Sequence, residues 1–171
     1  MQKQRLIDIG LSHHGFLVSR NYNSSTDLEA LGLVSSETSE AIIALIENEG
    51  EERFHEEISD IGLRAIGIIF RYKAILVNPM WIEDAVARVR SNESWMSYIT
   101  PKDAVTHTLF PIAKAMNEAR KMKVTQHYCE CLCDILAMVL IVASDLGVDV
   151  YRHMEMKIAK NLEKPPSDRI K

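Results

Sequence analysis

The sequence predicts an all-α protein, a helical bundle with a four-helix core, and three observations carry that reading. Glycine and proline are scarce, 7 and 5 in 171 residues, below the average usage of about 7% and 5% that a turn-rich β fold would exceed. Helix-start signals recur at wide spacing, with Thr26 three residues before Glu29, Asn78 before Pro79 and Thr100 before Pro101. The chain is 47% hydrophobic and has no low-complexity linker, so residues 1–171 form one domain of a size that buries roughly 70% of its unfolded surface.

Taken in order, residues 2 to 18 show no defined pattern and lead into the polar stretch Asn21 to Ser25. Thr26 and Glu29 read as a capping box that starts a helix running to about Asn48, and Glu49-Gly50-Glu51 supplies the break. A second helix follows from about Glu52 to Leu76. Asn78-Pro79 opens a shorter one to about Arg90, and Thr100-Pro101 opens another that ends near Lys123. The last two span about Thr125 to Asp145, stopped by Gly147, and about Val148 to Glu163, stopped by Pro165-Pro166.

A formal charge of -4 and a pI near 5.9 exclude a uniformly basic surface for nucleic acid. The longest apolar run, Ile135 to Ala143, falls short of the about 20 residues that a membrane span needs, and Met1 to Asp8 lack an apolar signal core. The expectation is a cytoplasmic protein with no membrane and no nucleic-acid partner. Cys129, Cys131 and Cys133 alternate along one helix, where neighbours two apart face different sides, so they read as free thiols acting as small hydrophobes.

The informative residues are acidic. Glu37 and Glu40 form one i, i+3 pair, and Glu57 and Asp60 form another on the next helix. Two antiparallel helices could aim all four carboxylates at one point, and such a cluster repels itself unless a cation neutralises it. Oxygen donors of this kind select Mg²⁺, Mn²⁺ or Ca²⁺. The bland alternative is a solvated helix face. Against it, Glu37 and Glu40 share a stripe with Leu33 and Ala44, and Arg64 is the only charge between Ile61 and Phe70.

This arrangement resembles the MazG-like all-α nucleoside triphosphate pyrophosphohydrolases, a superfamily that includes the dimeric dUTPases and dCTP pyrophosphatases. Their signature is E-x-x-E followed on the next helix by E-x-x-D, matched by Glu37, Glu40, Glu57 and Asp60. The small and aliphatic residues from Leu31 to Ala41 are similar to the context of the family's first pair. Lys157, Asn161 and Lys164 before Pro165 are similar to its closing K-x-x-x-N-x-x-(R/K) element. Residues 76 to 124 match poorly.

The resemblance implies hydrolysis of a (d)NTP to a (d)NMP and pyrophosphate, in nucleotide-pool house-cleaning, by a homo-oligomer, a dimer above all. Glu37, Glu40, Glu57 and Asp60 would hold Mg²⁺, or Mn²⁺, and Glu40 is the choice for the base that takes the proton from water. Lys157, Asn161 and Lys164, at i, i+4 and i+7, present one face of donors to phosphate oxygens. The competing reading of that face is a solvated amphipathic helix. The rival readings are a catalytically idle nucleotide-binding or oligomeric scaffold of the same fold, and a di-iron carboxylate bundle suggested by Glu52-x-x-His55, for which no second E-x-x-H follows.

Residues 58 to 69 also resemble residues 132 to 143, aligning Asp60 with Asp134, while Glu40-Ala41 has a counterpart in Glu118-Ala119. This suggests a degenerate second helix pair, about 101 to 145, that has Ala115 and Cys131 where the first has Glu37 and Glu57; chance likeness of two apolar helices is the competing reading. His13 and His14 read as solvated surface, Trp81, Trp95 and Tyr98 as core or oligomer contacts, and Arg120, Lys121 and Lys123 as cations favoured at a helix C-terminus.

Overall fold

A computed structural model describes residues 2–20, 22, 25–72, 81–96 and 100–163. Among them there are helices and turns and no strand. The helices are α1 (Gln2–Ser19), α2 (Asp27–Ile46), α3 (Glu51–Ile69), α4 (Trp81–Arg90), α5 (Glu93–Met96), α6 (Pro101–His107), α7 (Leu109–Ala119), α8 (Gln126–Asp145) and α9 (Val150–Glu163).

The capping signals act as read. The Thr26 hydroxyl accepts from the Glu29 amide, and the Glu29 carboxylate accepts from the Thr26 amide. Thr100 and Asp103 repeat the exchange with Pro101 in the first turn, and Thr125 accepts from the Tyr128 amide. The Asn78-Pro79 signal and Tyr98 lie outside the described residues.

Four elements differ from the sequence reading: α3 stops at Ile69, where the chain turns, and not near Leu76, α5 was not expected, and two others are recast. Residues 2–19 are a helix, because Leu6, Ile9, Gly10 and His13 form a buried stripe at helical spacing against α3 and α9. The pattern is hidden by what that face carries: His13 is polar, and Gly10 is small because the Phe70 ring occupies the space of its missing side chain. The helix expected from Thr100 to Lys123 is broken at Thr108. Pro111 has no amide hydrogen to give the His107 carbonyl, and its ring crowds that carbonyl, so the chain bends there.

The core is a ring of four helices in which α2 packs on α3, α3 on α8, α8 on α7, and α7 on α2. From Glu57 to Phe70 every side chain of the α3 segment is buried except Asp60 and Arg64, and α8 is buried from Cys131 to Val139. By length and composition α8 is apolar enough to cross a membrane, but 72% of its most apolar window is buried inside the protein. Cys131 and Cys133 are buried there as free thiols, with burial pushing their pKa values up to about 11 and about 12.

The α2–α3 pair is an antiparallel hairpin. At its open end Arg71 donates to the Ser25 carbonyl and Tyr72 to the Asp27 carboxylate, and at the closed end Asn48 and Gly50 turn the chain with positive φ. Outside the ring, α9 lies against α3 and α1, and α4 against α8. The α3–α9 contact is close because Met154, fully buried, sits in the notch left by Gly62.

Candidate metal and phosphate site

Antiparallel pairing brings the late turns of α2 against the early turns of α3. Oxygens of Glu37, Glu40 and Glu57 lie within 4.8 Å of one another. Asp60 stands one turn along α3 and faces α9, where its Oδ2 lies 2.5 Å from Lys157 Nζ. The structure therefore brings three of the four acids together and sets the fourth beside them with the lysine. Asn161 is half-buried one turn beyond Lys157, and Lys164 lies outside the described residues.

Three basic side chains already face this cluster. Arg53, one turn before Glu57 on α3, places Nη2 2.5 Å from Glu57 and 3.5 Å from Glu40. Arg64 meets Glu37 at 3.0 Å, and Lys157 meets Asp60. The self-repulsion inferred from the acids alone is thus countered within the chain. The arginines are nonetheless 45% and 44% exposed, so both can swing into solvent without breaking the core. Leu33, read as sharing the buried stripe of the acids, is exposed, while Ala44 is buried.

Burial decides how the acids behave. The Glu57 side chain is 2% exposed; this desolvation, against the opposing pull of Arg53, raises its pKa to about 7, with Glu40, Asp60 and Glu37 pushing the same way. Glu40 is 47% exposed and is the acid of the cluster that water reaches most freely. The donors are all carboxylate oxygens, three of them convergent, and a bound cation would offset the cost of burying the charge of the deepest one. These residues fit a hard divalent ion such as Mg²⁺ or Mn²⁺.

The aligned position in the other half of the ring differs. Asp134 is buried, and Arg88 donates to its Oδ1 through Nη2 at 2.8 Å and Nε at 3.1 Å. Among the described residues, no group of three candidate metal ligands includes it. Asp134 is a buried acid answered by an arginine.

The remaining candidates fall into place. His13 is buried against Gly67, not solvated, and its pKa falls to about 4 through burial, with Arg64 and His14 adding to the effect. Trp81 is core, and the Trp95 ring is half-buried beneath Lys114 Nζ at 5.2 Å. Lys121 pairs with Glu118 at 2.6 Å. Glu52 and His55 meet no second Glu-x-x-His; they meet His153 of α9.

Sequence reading gave no role at the site to Arg53, Arg64 or His153. The i, i+4 spacing of Arg53 and Glu57 was a visible signal, as was Arg64 alone in an apolar stretch. His153 had none, because its role depends on where α9 docks. Comparison of the chain with family models, with curated proteins and with solved structures returns no match.

Proposed function

We propose that the protein is a Mg²⁺-dependent nucleoside triphosphate pyrophosphohydrolase that converts a (d)NTP and water to a (d)NMP and pyrophosphate in the cytoplasmic nucleotide pool. The single observation that carries this reading is the convergence of Glu37, Glu40 and Glu57, with Asp60 beside them holding Lys157 at the edge. Mg²⁺ held by these acids would supply Lewis-acid polarisation of the phosphate oxygens. Glu40, the most exposed of the convergent acids, takes the proton of the attacking water. Lys157 exchanges its contact with Asp60 for a phosphate oxygen, and Asn161 adds an amide donor on the same side.

Leu28, Ile43 and Ile46 are exposed on one side of α2, the helix that carries Glu37 and Glu40, and this favours a homodimer formed through that helix. Sedimentation equilibrium should find the dimer; a monomer at tens of micromolar chain would overturn that part of the proposal.

One observation favours a second reading, an idle scaffold of the same fold: Arg53, Arg64 and Lys157 compensate the acids without any ion. The test is pyrophosphate release from a panel of canonical and modified nucleoside triphosphates with Mg²⁺. Activity should vanish in excess chelator and nearly vanish in Glu40→Gln and Asp60→Asn, with helical content preserved. Full activity in both variants or in chelator excludes the proposal, and inactivity on the whole panel together with no Mg²⁺ binding selects the scaffold.

A further inference from the structure

We propose that Glu52, His55 and His153 form a second cation site, for a borderline divalent transition metal of the Zn²⁺, Co²⁺ or Ni²⁺ class, that clamps α9 to α3. The inference is independent of the pyrophosphohydrolase reading.

The geometry has three parts. Glu52 and His55 are one turn apart on α3, so both side chains leave the same face. His153 comes from the facing helix α9, and its ring meets that of His55 edge to face at 5.2 Å between centroids. A carboxylate oxygen of Glu52 and one ring nitrogen from each histidine all lie within 4.8 Å of one another. Ligands around one ion at about 2.0–2.2 Å stand about 3–3.5 Å apart, a spacing that small side-chain rotations bring within reach of these groups. They have room to rotate, since Glu52 is exposed and both histidines are half-buried.

Donor chemistry chooses the ion. Two imidazoles and one carboxylate form a nitrogen-rich set that prefers Zn²⁺, Co²⁺ or Ni²⁺ to Mg²⁺, whereas the Glu37–Glu40–Glu57 group offers only oxygen. Three protein ligands on an accessible surface leave a position for water, so the ion is exchangeable and not enclosed. A shared ion would also hold α9 in place. His153 stands one turn before Lys157, and Met154 beside it fills the Gly62 notch. Closing His153 onto His55 therefore fixes the face of α9 that sets Lys157 on Asp60.

The test is calorimetric titration of the full chain with Zn²⁺ in excess Mg²⁺, with thermal melts and the visible spectrum of the Co²⁺ form. We expect a single equivalent of Zn²⁺, weakened at least tenfold in His55→Ala and in His153→Ala, unchanged within twofold in Glu37→Gln, and raising the melting midpoint of the wild type but of neither histidine variant. Circular dichroism and the conservative variant His153→Gln separate loss of a ligand from loss of fold. Equal Zn²⁺ affinity in the wild type and both folded histidine variants would overturn the proposal. Loss in Glu37→Gln with retention in the histidine variants would place the ion among the acids and overturn it as well, and an intense thiolate-to-Co²⁺ band removed by Cys129→Ser would do the same.

Discussion

Glu57 and His13 are two buried titratable side chains whose shifts act on stability in opposite directions. For Glu57 the folded state holds the proton more tightly than the unfolded chain. Its contribution is therefore present in acid and is lost as pH rises from the ordinary value of 4.5 to about 7. At about 1.4 kcal/mol per pKa unit the loss is about 3.5 kcal/mol at most. His13 is held neutral, so its contribution is present above the ordinary imidazole value of 6.5 and is lost as pH falls towards about 4. In chelator the two nearly offset each other in the wild type across the shared interval. Glu57→Gln should unmask the His13 term, and urea midpoints should then rise with pH towards neutrality. A midpoint that stays flat in the variant would show that His13 is not buried neutral.

Arg53 tests the same site at residue scale. Removing it leaves Glu57 buried without its cation, which should lower the stability of the metal-free protein by about 1–2 kcal/mol; the arginine's exposure keeps the cost below that of a fully buried pair. Because the arginine competes with an ion, Arg53→Ala should also tighten Mg²⁺ binding, and saturating Mg²⁺ should restore the lost stability. A destabilised variant that Mg²⁺ does not rescue supports the scaffold reading. Lys157→Ala removes a charge-assisted phosphate contact worth about 1.5–3 kcal/mol, so kcat/KM should fall by roughly one to two orders of magnitude with little change in Mg²⁺ affinity. Wild-type kinetics in that variant would make the Lys157–Asp60 contact purely structural.

At the scale of elements, the sequence announced helix starts more clearly than helix fates. Thr26 and Thr100 cap where they were read to cap, and Thr125, read only as the start of its helix, caps it too, because a side-chain oxygen and an amide three residues on are a local matter. The break at Thr108 was also local, and Pro111 was its overlooked sign. Helix α1 escaped because half of its buried stripe is glycine and histidine, residues that report burial only once Phe70 and Gly67 are known to lie opposite. The docking of α9 rests on Met154 in the Gly62 notch. Met154→Ala should cost about 2–5 kcal/mol, lowering the thermal midpoint, and should loosen Lys157 enough to reduce kcat/KM while Mg²⁺ affinity holds.

For the whole molecule, the ring of α2, α3, α8 and α7 has the pattern of neighbours that a two-fold axis exchanging α2 with α7 and α3 with α8 would give. We propose on this basis that the second pair is a degenerate copy of the first. Superposing α2–α3 on α7–α8 should then give an approximate two-fold rotation, and an unrelated orientation would reduce the likeness of the segments to chance. If the second pair has surrendered metal binding to the Arg88–Asp134 pair, Asp134→Asn should leave Mg²⁺ affinity within about twofold. A loss comparable to that in Asp60→Asn would contradict the degeneration.

By itself the sequence determined what depends on near neighbours along the chain: an all-α class, the capped helix starts and the i, i+3 spacing of Glu37 with Glu40 and of Glu57 with Asp60. Those features follow from the helical repeat and from hydrogen bonds that span three or four residues. Only the tertiary structure decided what meets the acids and His55 from other helices. Arg64 reaches Glu37 across the α2–α3 hairpin, Arg88 reaches Asp134 from α4, and Lys157 and His153 reach Asp60 and His55 from α9. Each of these pairings joins residues far apart in the chain. Their geometry is set by which helix faces pack together, through contacts as particular as Phe70 over Gly10 and Met154 over Gly62, and no periodicity within one segment encodes which face of another it will meet.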